Sequence, residues 1–170
     1  MSAPIAYDAR WLGPHGIGRF AGASVERLEG LVPLEVTGRP TDPRDPWRVA
    51  RALRRSRPRA YWTPGFNPPA RTAVPFVITL HDLIHLDEPG EASPAKRAYY
   101  RWLVRPALHR AAAVLTVTEY ARTRIAAWSG LDASRITVVG NGVDASFAPE
   151  GPAHEHDGRY LLFLGTDKTH

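Results

Sequence analysis

The sequence predicts an α/β fold, a doubly wound parallel sheet with helices packed over it. Three observations carry that prediction. Phe76, Val77, Ile78 and Leu80, within PFVITLHDLIH at Pro75 to His85, form a near-continuous apolar run rich in β-branched residues, the pattern of a strand covered on both faces. Other short apolar runs alternate with segments of helical period, the order that builds parallel sheets. The runs stop at polar or glycine-bearing loops, and ligands of open α/β sheets sit outside the carboxyl ends of the strands. His81 and Asp82, where the central run stops, are therefore either a site pair or a strand end whose histidine is merely hydrogen-bonded.

Whole-chain properties agree with that class. The 170 residues suffice for one α/β core, and 44% of them are apolar. The absence of cysteine excludes disulfides and thiolate metal sites and suits a reducing compartment. MSAPIAYDARW has no apolar segment of signal-peptide length, and no run approaches ~18 apolar residues. The expectation is a cytoplasmic protein that does not span a membrane. The net charge of +5, mostly arginine, attracts phosphates without choosing among nucleic acid, nucleotides and anionic lipid.

Ile5 to Tyr7 is the first strand, closed by Asp8. WLGPHGIGRF follows, with Gly13, Gly16 and Gly18, then a helix from about Arg19 to Leu31 with Phe20, Ala23, Val25 and Leu28 inward. Strand, glycine loop and helix aim N–H groups at an anion. The spacing is not the dinucleotide fingerprint, and a tight turn explains the same glycines. Pro33 to Thr37 is the second strand, followed by an irregular connection to Pro46. Trp47 to Arg57 is a helix with Val49, Ala52 and Leu53 inward. The arginines from Arg48 to Arg59 bind phosphate or form a solvated face with cations near the helix C-terminus. Ala60 to Thr63 is the third strand, and Asn67 lies in a stiff loop with Pro68 and Pro69 on the ligand side.

Beyond the central strand, Ser93 caps a helix with Pro94 at its first position. It runs to about Ala112 and is kinked or split at Pro106. Tyr100, Leu103, Val104, Ala107, Leu108 and Ala111 form its apolar stripe. Arg97, Arg101 and Arg105, with Tyr99 and Trp102 nearby, are either a membrane-surface row or the solvated edge of a core helix. Ala113 to Val117 is the fifth strand, ending at Thr118 and Glu119; a helix to Trp128 closes at Gly130. Ile136 to Val139 is the sixth strand, followed by Asn141 to Asp144. Arg159 to Leu164 reads as a last strand. The expected organisation is a Rossmann-like domain over 1–147, a linker over 148–158 and the start of a second domain at 159–170.

Four stretches in register, GIGRF at Gly16, ITLHDLIH at Ile78, VLTVTEYAR at Val114 and ITVVGNGVD at Ile136, resemble the N-terminal half of a family 4 (group 1) retaining glycosyltransferase of the GT-B fold. YLLFLGT at Tyr160 resembles the first strand of that family's second domain. The resemblance implies transfer of a sugar, with retention, from a nucleotide-diphosphate sugar to an acceptor across a cleft between two Rossmann-like domains. The N-terminal domain would hold the acceptor. His81 matches the cleft histidine that contacts the donor sugar, and His81 and Asp82 are the catalytic candidates. Gly16, Gly18 and Arg19 match the loop next to the diphosphate and acceptor, and Asn67, Thr118, Glu119, Asn141 and Gly142 are the further donor- or acceptor-binding candidates. Thr118 stands where a serine is usual.

The family's donor-binding Arg/Lys pair and its paired glutamates belong to the second domain. The 170-residue chain alone is therefore expected to be inactive. No cofactor and no metal is implied; His81, Asp82 and His85 offer at most three ligands. The expected partners are a nucleotide sugar and a sugar or lipid-linked acceptor. Further readings are a weak peripheral contact with the inner membrane face and a homodimer through the terminal strand. Nucleic acid is not expected, because the Arg48 to Arg59 cluster has no aromatic platform. The competing function is a non-catalytic anion- or lipid-binding module on the same fold.

Overall fold

The computed structural model describes residues 3–144, 147–148, 150–151 and 157–162. Among them, six strands form one all-parallel sheet: β1 (Ile5–Tyr7), β2 (Leu31–Pro33), β3 (Ala60–Thr63), β4 (Phe76–Thr79), β5 (Ala113–Thr116) and β6 (Ile136–Val138). Their order is β2-β1-β3-β4-β5-β6. This is the α/β, Rossmann-like sheet that the sequence predicts. The order reverses between β1 and β3, so the loops that follow those two strands flank the switch point, where such folds place ligands.

Register and the two-residue period assign the faces. Ala6, Tyr61, Ile78 and Val114 share one face. They form the main core with Val49 and Leu53 of α2 (Asp45–Ser56), Leu108 of α5 (Arg105–Arg110) and Ile125 of α6 (Glu119–Ser129). Tyr7 and Trp62 point the other way, where Phe20 of α1 (Gly16–Arg27) packs edge-on against Trp62. Right-handed crossovers explain the split: the β1-to-β2 connection moves in the opposite direction to the others, so its helix falls on the opposite face. Val77 and Leu115, on that second face, are only half-buried. The central strand is thus less evenly covered than its composition suggests.

Some boundaries move for local reasons. α1 starts at Gly16 rather than Arg19 because His15 caps it. It buries Gly18 and Ala21, whereas Ala23 and Leu28 of the expected face are exposed. β2 is Leu31–Pro33 rather than Pro33 to Thr37, since Ile5 to Tyr7 pair with those residues directly after the Gly30 turn, at φ 77°. α6 starts at Glu119 and ends at left-handed Gly130 as expected, and the structure adds a cap at Thr118. The helix from Ser93 is broken into α4 (Pro94–Tyr99), a π-helical turn at Tyr100–Val104 and α5, with the short α3 (Ile84–Asp87) before it. Pro106 has no N–H to return to the preceding turn, and the wider π turn accommodates that loss.

The basic row on this helix is altered by the same turn. Arg97 and Arg101 are exposed, and Arg101 lies 5.3 Å over the exposed Trp102 ring. Arg105 is exposed as well, but its Nε donates to the Ser129 carbonyl at 3.0 Å. Tyr99 turns inward against Phe66 and Tyr100, so its ring does not join an outward aromatic pair. Arg159 to Leu162 form no strand; Leu161 and Leu162 are exposed, and the rest of that expected strand lies outside the described residues. No helix among the described residues is long and apolar enough to cross a membrane.

Candidate active site

The apolar run that makes β4 ends its ladder at Leu80, whose N–H still bonds the Leu115 carbonyl at 2.9 Å. His81 is the next residue. Its Nε2 lies 2.9 Å from the Pro64 carbonyl, which belongs to the loop leaving β3. A carbonyl only accepts, so Nε2 carries the hydrogen and Nδ1 holds a lone pair. Phe20 meets the imidazole edge-on with ring centroids 5.0 Å apart, which brings the first turns of α1 to His81.

Burial pushes the His81 pKa below its ordinary value, opposed by the Pro64 bond and by Asp82. At neutral pH the ring is an uncharged hydrogen-bond acceptor. The sign of the linkage follows. The folded imidazole binds a proton less readily than the unfolded one, so its contribution to stability is complete above about pH 6.5 and is lost as pH falls through the lower folded pKa. Urea denaturation between neutral pH and about pH 5 tests this: His81→Asn should lose less stability on acidification than the wild-type chain. Identical pH profiles would contradict it.

Asp82 is exposed, and its carboxylate accepts from the Ile84 N–H at 3.0 Å. That bond forms the turn into α3. The adjacent pair is therefore not a dyad in which the carboxylate holds the imidazole; Pro64 does that.

At the start of α1, His15 Nδ1 accepts from the Gly18 N–H at 3.1 Å and the His15 carbonyl accepts from Arg19 N–H at 2.8 Å. The helix itself supplies no partners for the N–H groups of Gly16 and Ile17. Sequence reasoning missed this imidazole cap; its signal was a histidine directly before the glycine that opens the helix. The two glycines differ. A Cβ on Gly18 would strike the backbone of Gly13 and lie 2.8 Å from the Trp11 carbonyl, whereas one on Gly16 would meet open space. Gly18→Ala should cost about 1–3 kcal/mol by overpacking, and Gly16→Ala less than about 0.5 kcal/mol, in paired thermal unfolding.

Asn67 is completely buried. Its amide nitrogen donates to Asp8 at 3.2 Å and Asp45 at 2.7 Å; its oxygen accepts from Trp11 Nε1 at 2.6 Å and Thr63 Oγ1 at 2.9 Å. This environment offers no amide face to a ligand. Arg10 completes the cluster with paired bonds to both carboxylates, 2.7 and 2.8 Å to Asp8 and 2.6 and 3.0 Å to Asp45. Burial alone would lower the Arg10 pKa; the bonds to Asp8 and Asp45 outweigh it and raise it. Asp8, Arg10 and Asp45 were not singled out as functional from the sequence. Two short loops and one helix start bring them together.

Thr118 is exposed at the start of α6, where its hydroxyl accepts from Ala121 N–H at 3.0 Å. Glu119 is exposed and pairs with Arg122 at 2.6 Å. Asn141 and Gly142 are exposed beyond β6, two strands from β4 and hence about 10 Å along the same edge from the strand that carries His81. Arg19 is exposed on α1. The structure thus brings His81 and the α1 start into contact and places the other exposed candidates after strands that end at the same edge. Among the described residues, no group of three His, Asp or Glu side chains is arranged to hold a metal ion. His85 Nδ1 lies 2.9 Å from the Tyr100 hydroxyl.

Chemically, this edge offers a neutral imidazole acceptor packed on Phe20 of α1, the N–H groups that open that helix, and the exposed cationic side chain of Arg19. A family model described as a glycosyl transferase 4-like domain matches residues 5–142. No curated protein matches the chain.

Proposed function

This chain belongs to the glycosyl transferase 4-like domain family, and from that premise we propose that it is the acceptor-side domain of a retaining glycosyltransferase that uses a nucleotide-diphosphate sugar. The observation that carries the reading is His81: half-buried, uncharged, held through Nε2 at the carboxyl end of the central strand. In this reading Nδ1 accepts a hydrogen bond from a sugar hydroxyl as the oxocarbenium-like state forms. Negative charge grows on the departing diphosphate; the start of α1 and Arg19 stabilise it. Asp82, Gly16, Gly18, Thr118, Glu119, Asn141 and Gly142 belong to the rim that meets donor and acceptor, Gly18 by letting α1 approach the loop before it.

Leu12 and Val143 are exposed on loops that follow β1 and β6, and Tyr120 is exposed in the first turn of α6 after β5, which suits a surface that faces a second domain. The 170-residue polypeptide alone is expected to turn over no nucleotide sugar, and steady turnover by it would contradict this division of labour. The reading itself is tested by following the His81 ring resonances while nucleoside diphosphate sugars and free or lipid-linked sugars are added. Perturbation by a sugar ligand is expected; indifference to the whole panel would overturn it.

Two partner proposals accompany this reading: a second copy of the chain, and a weak peripheral contact with the inner membrane face. Exposed Tyr160, Leu161 and Leu162 suit pairing with a second copy, so chains ending near Glu150 should scatter light as monomers where the full chain does not. Arg97 and Arg101 beside Trp102 suit weak binding to anionic vesicles, reduced when both arginines become glutamine.

A further inference from the structure

We propose that the buried cluster of Asp8, Arg10, Asp45 and Asn67 is a positioning device for His81, acting through the Thr63-to-Asn67 loop and the Pro64 carbonyl. The inference rests on the reading of His81 as the group that meets the sugar.

A primary amide has two N–H donors and an oxygen with two lone pairs, and Asn67 uses all of them inside the protein. Burying three charged groups seldom improves stability over apolar packing of the same volume. The cluster needs another consequence, and the loop supplies one. Thr63 and Asn67 are bonded to each other at 2.9 Å, so the intervening loop is closed at its base. Thr63 Oγ1 also lies 3.2 Å from the Gly65 carbonyl. The Trp11 ring presses on the loop so closely that a Cβ on Gly65 would overlap it. Pro64 adds a fixed φ. With both ends and one side held, the Pro64 carbonyl has one position, and that carbonyl selects the Nε2–H form of His81. The Phe20 contact does not make this selection, since an edge-on ring contact fixes the imidazole plane but not which nitrogen bears the hydrogen. The cluster thereby turns Nδ1, with its lone pair, away from the loop.

The test uses nitrogen–proton correlation spectra of the His81 ring in the full chain near neutral pH. The wild-type chain is expected to show one form, with Nε2 protonated and Nδ1 unprotonated. Asn67→Leu and Thr63→Val should each give a second set of ring signals from the Nδ1–H form, and Thr63→Ser, which keeps the hydroxyl, should restore the single set. Circular dichroism checks that each variant is folded; if Asn67→Leu does not fold, the valine and serine pair at Thr63 still decides. A single unchanged form in folded Thr63→Val would overturn the proposal. A second form in the variants, in a protein whose His81 ignores every sugar ligand, would support the positioning chain and reject the glycosyl-transfer reading.

Discussion

Replacing His81 by alanine, in a polypeptide that joins this domain to a donor-binding half, is expected to lower sugar transfer by roughly 10²–10⁴-fold. The same change should cost stability only about 1–2 kcal/mol, because the ring is half-buried and its contacts are one hydrogen bond and one ring edge. A loss of 10²–10⁴ in rate corresponds to roughly 3–5 kcal/mol of transition-state stabilisation, well above that packing cost. His81→Asn should retain more activity than His81→Ala, since its side-chain oxygen can accept a hydrogen bond near the place of Nδ1. The measurements are kcat/KM and a melting curve for each variant. Equal losses in both assays would return His81 to a purely structural role.

Replacing Arg10 by methionine is expected to have the largest effect on stability, about 3–5 kcal/mol. Methionine fills much of the same volume, so the loss is not mainly one of packing. It comes from Asp8 and Asp45, both fully buried, which would face each other without the guanidinium that now bonds all four of their oxygens. Asn67 and Tyr61 would remain as donors to them, with the Tyr61 hydroxyl at 3.3 Å from Asp8, but neither carries a positive charge. Urea midpoints would show the change, and a midpoint within the range of an ordinary surface substitution would mean that the cluster relaxes by admitting water. Arg48→Met offers the contrast. Its pair with Asp42 is more than a third exposed on both sides, so removing it should leave the urea midpoint within the range of an ordinary surface substitution.

What was legible in the chain is what neighbouring residues decide among themselves. The β-branched run at Phe76 to Leu80 had to be a strand, and its polar exit at His81 had to lie at the ligand edge once the sheet was parallel. Ser93 and Gly130 marked helix ends because a cap answers to N–H and C=O groups within one turn. The family-like loops at Gly16, His81, Thr118 and Asn141 were visible for the same reason: each is a short local string.

The tertiary structure decided what depends on partners distant in sequence. Asp82 adjoins His81 in sequence, yet the partner that sets the imidazole's hydrogen is Pro64, 17 residues away. Asn67 looked like a ligand group in a stiff loop on the ligand side, but its amide nitrogen donates to Asp8, 59 residues distant, and to Asp45, 22 residues distant. A polar residue in a loop has the same local signature whether it faces solvent or closes a buried ion cluster. The difference lies in burial: once water is excluded, each donor must find a protein acceptor, and only the folded chain determines which acceptors are within reach.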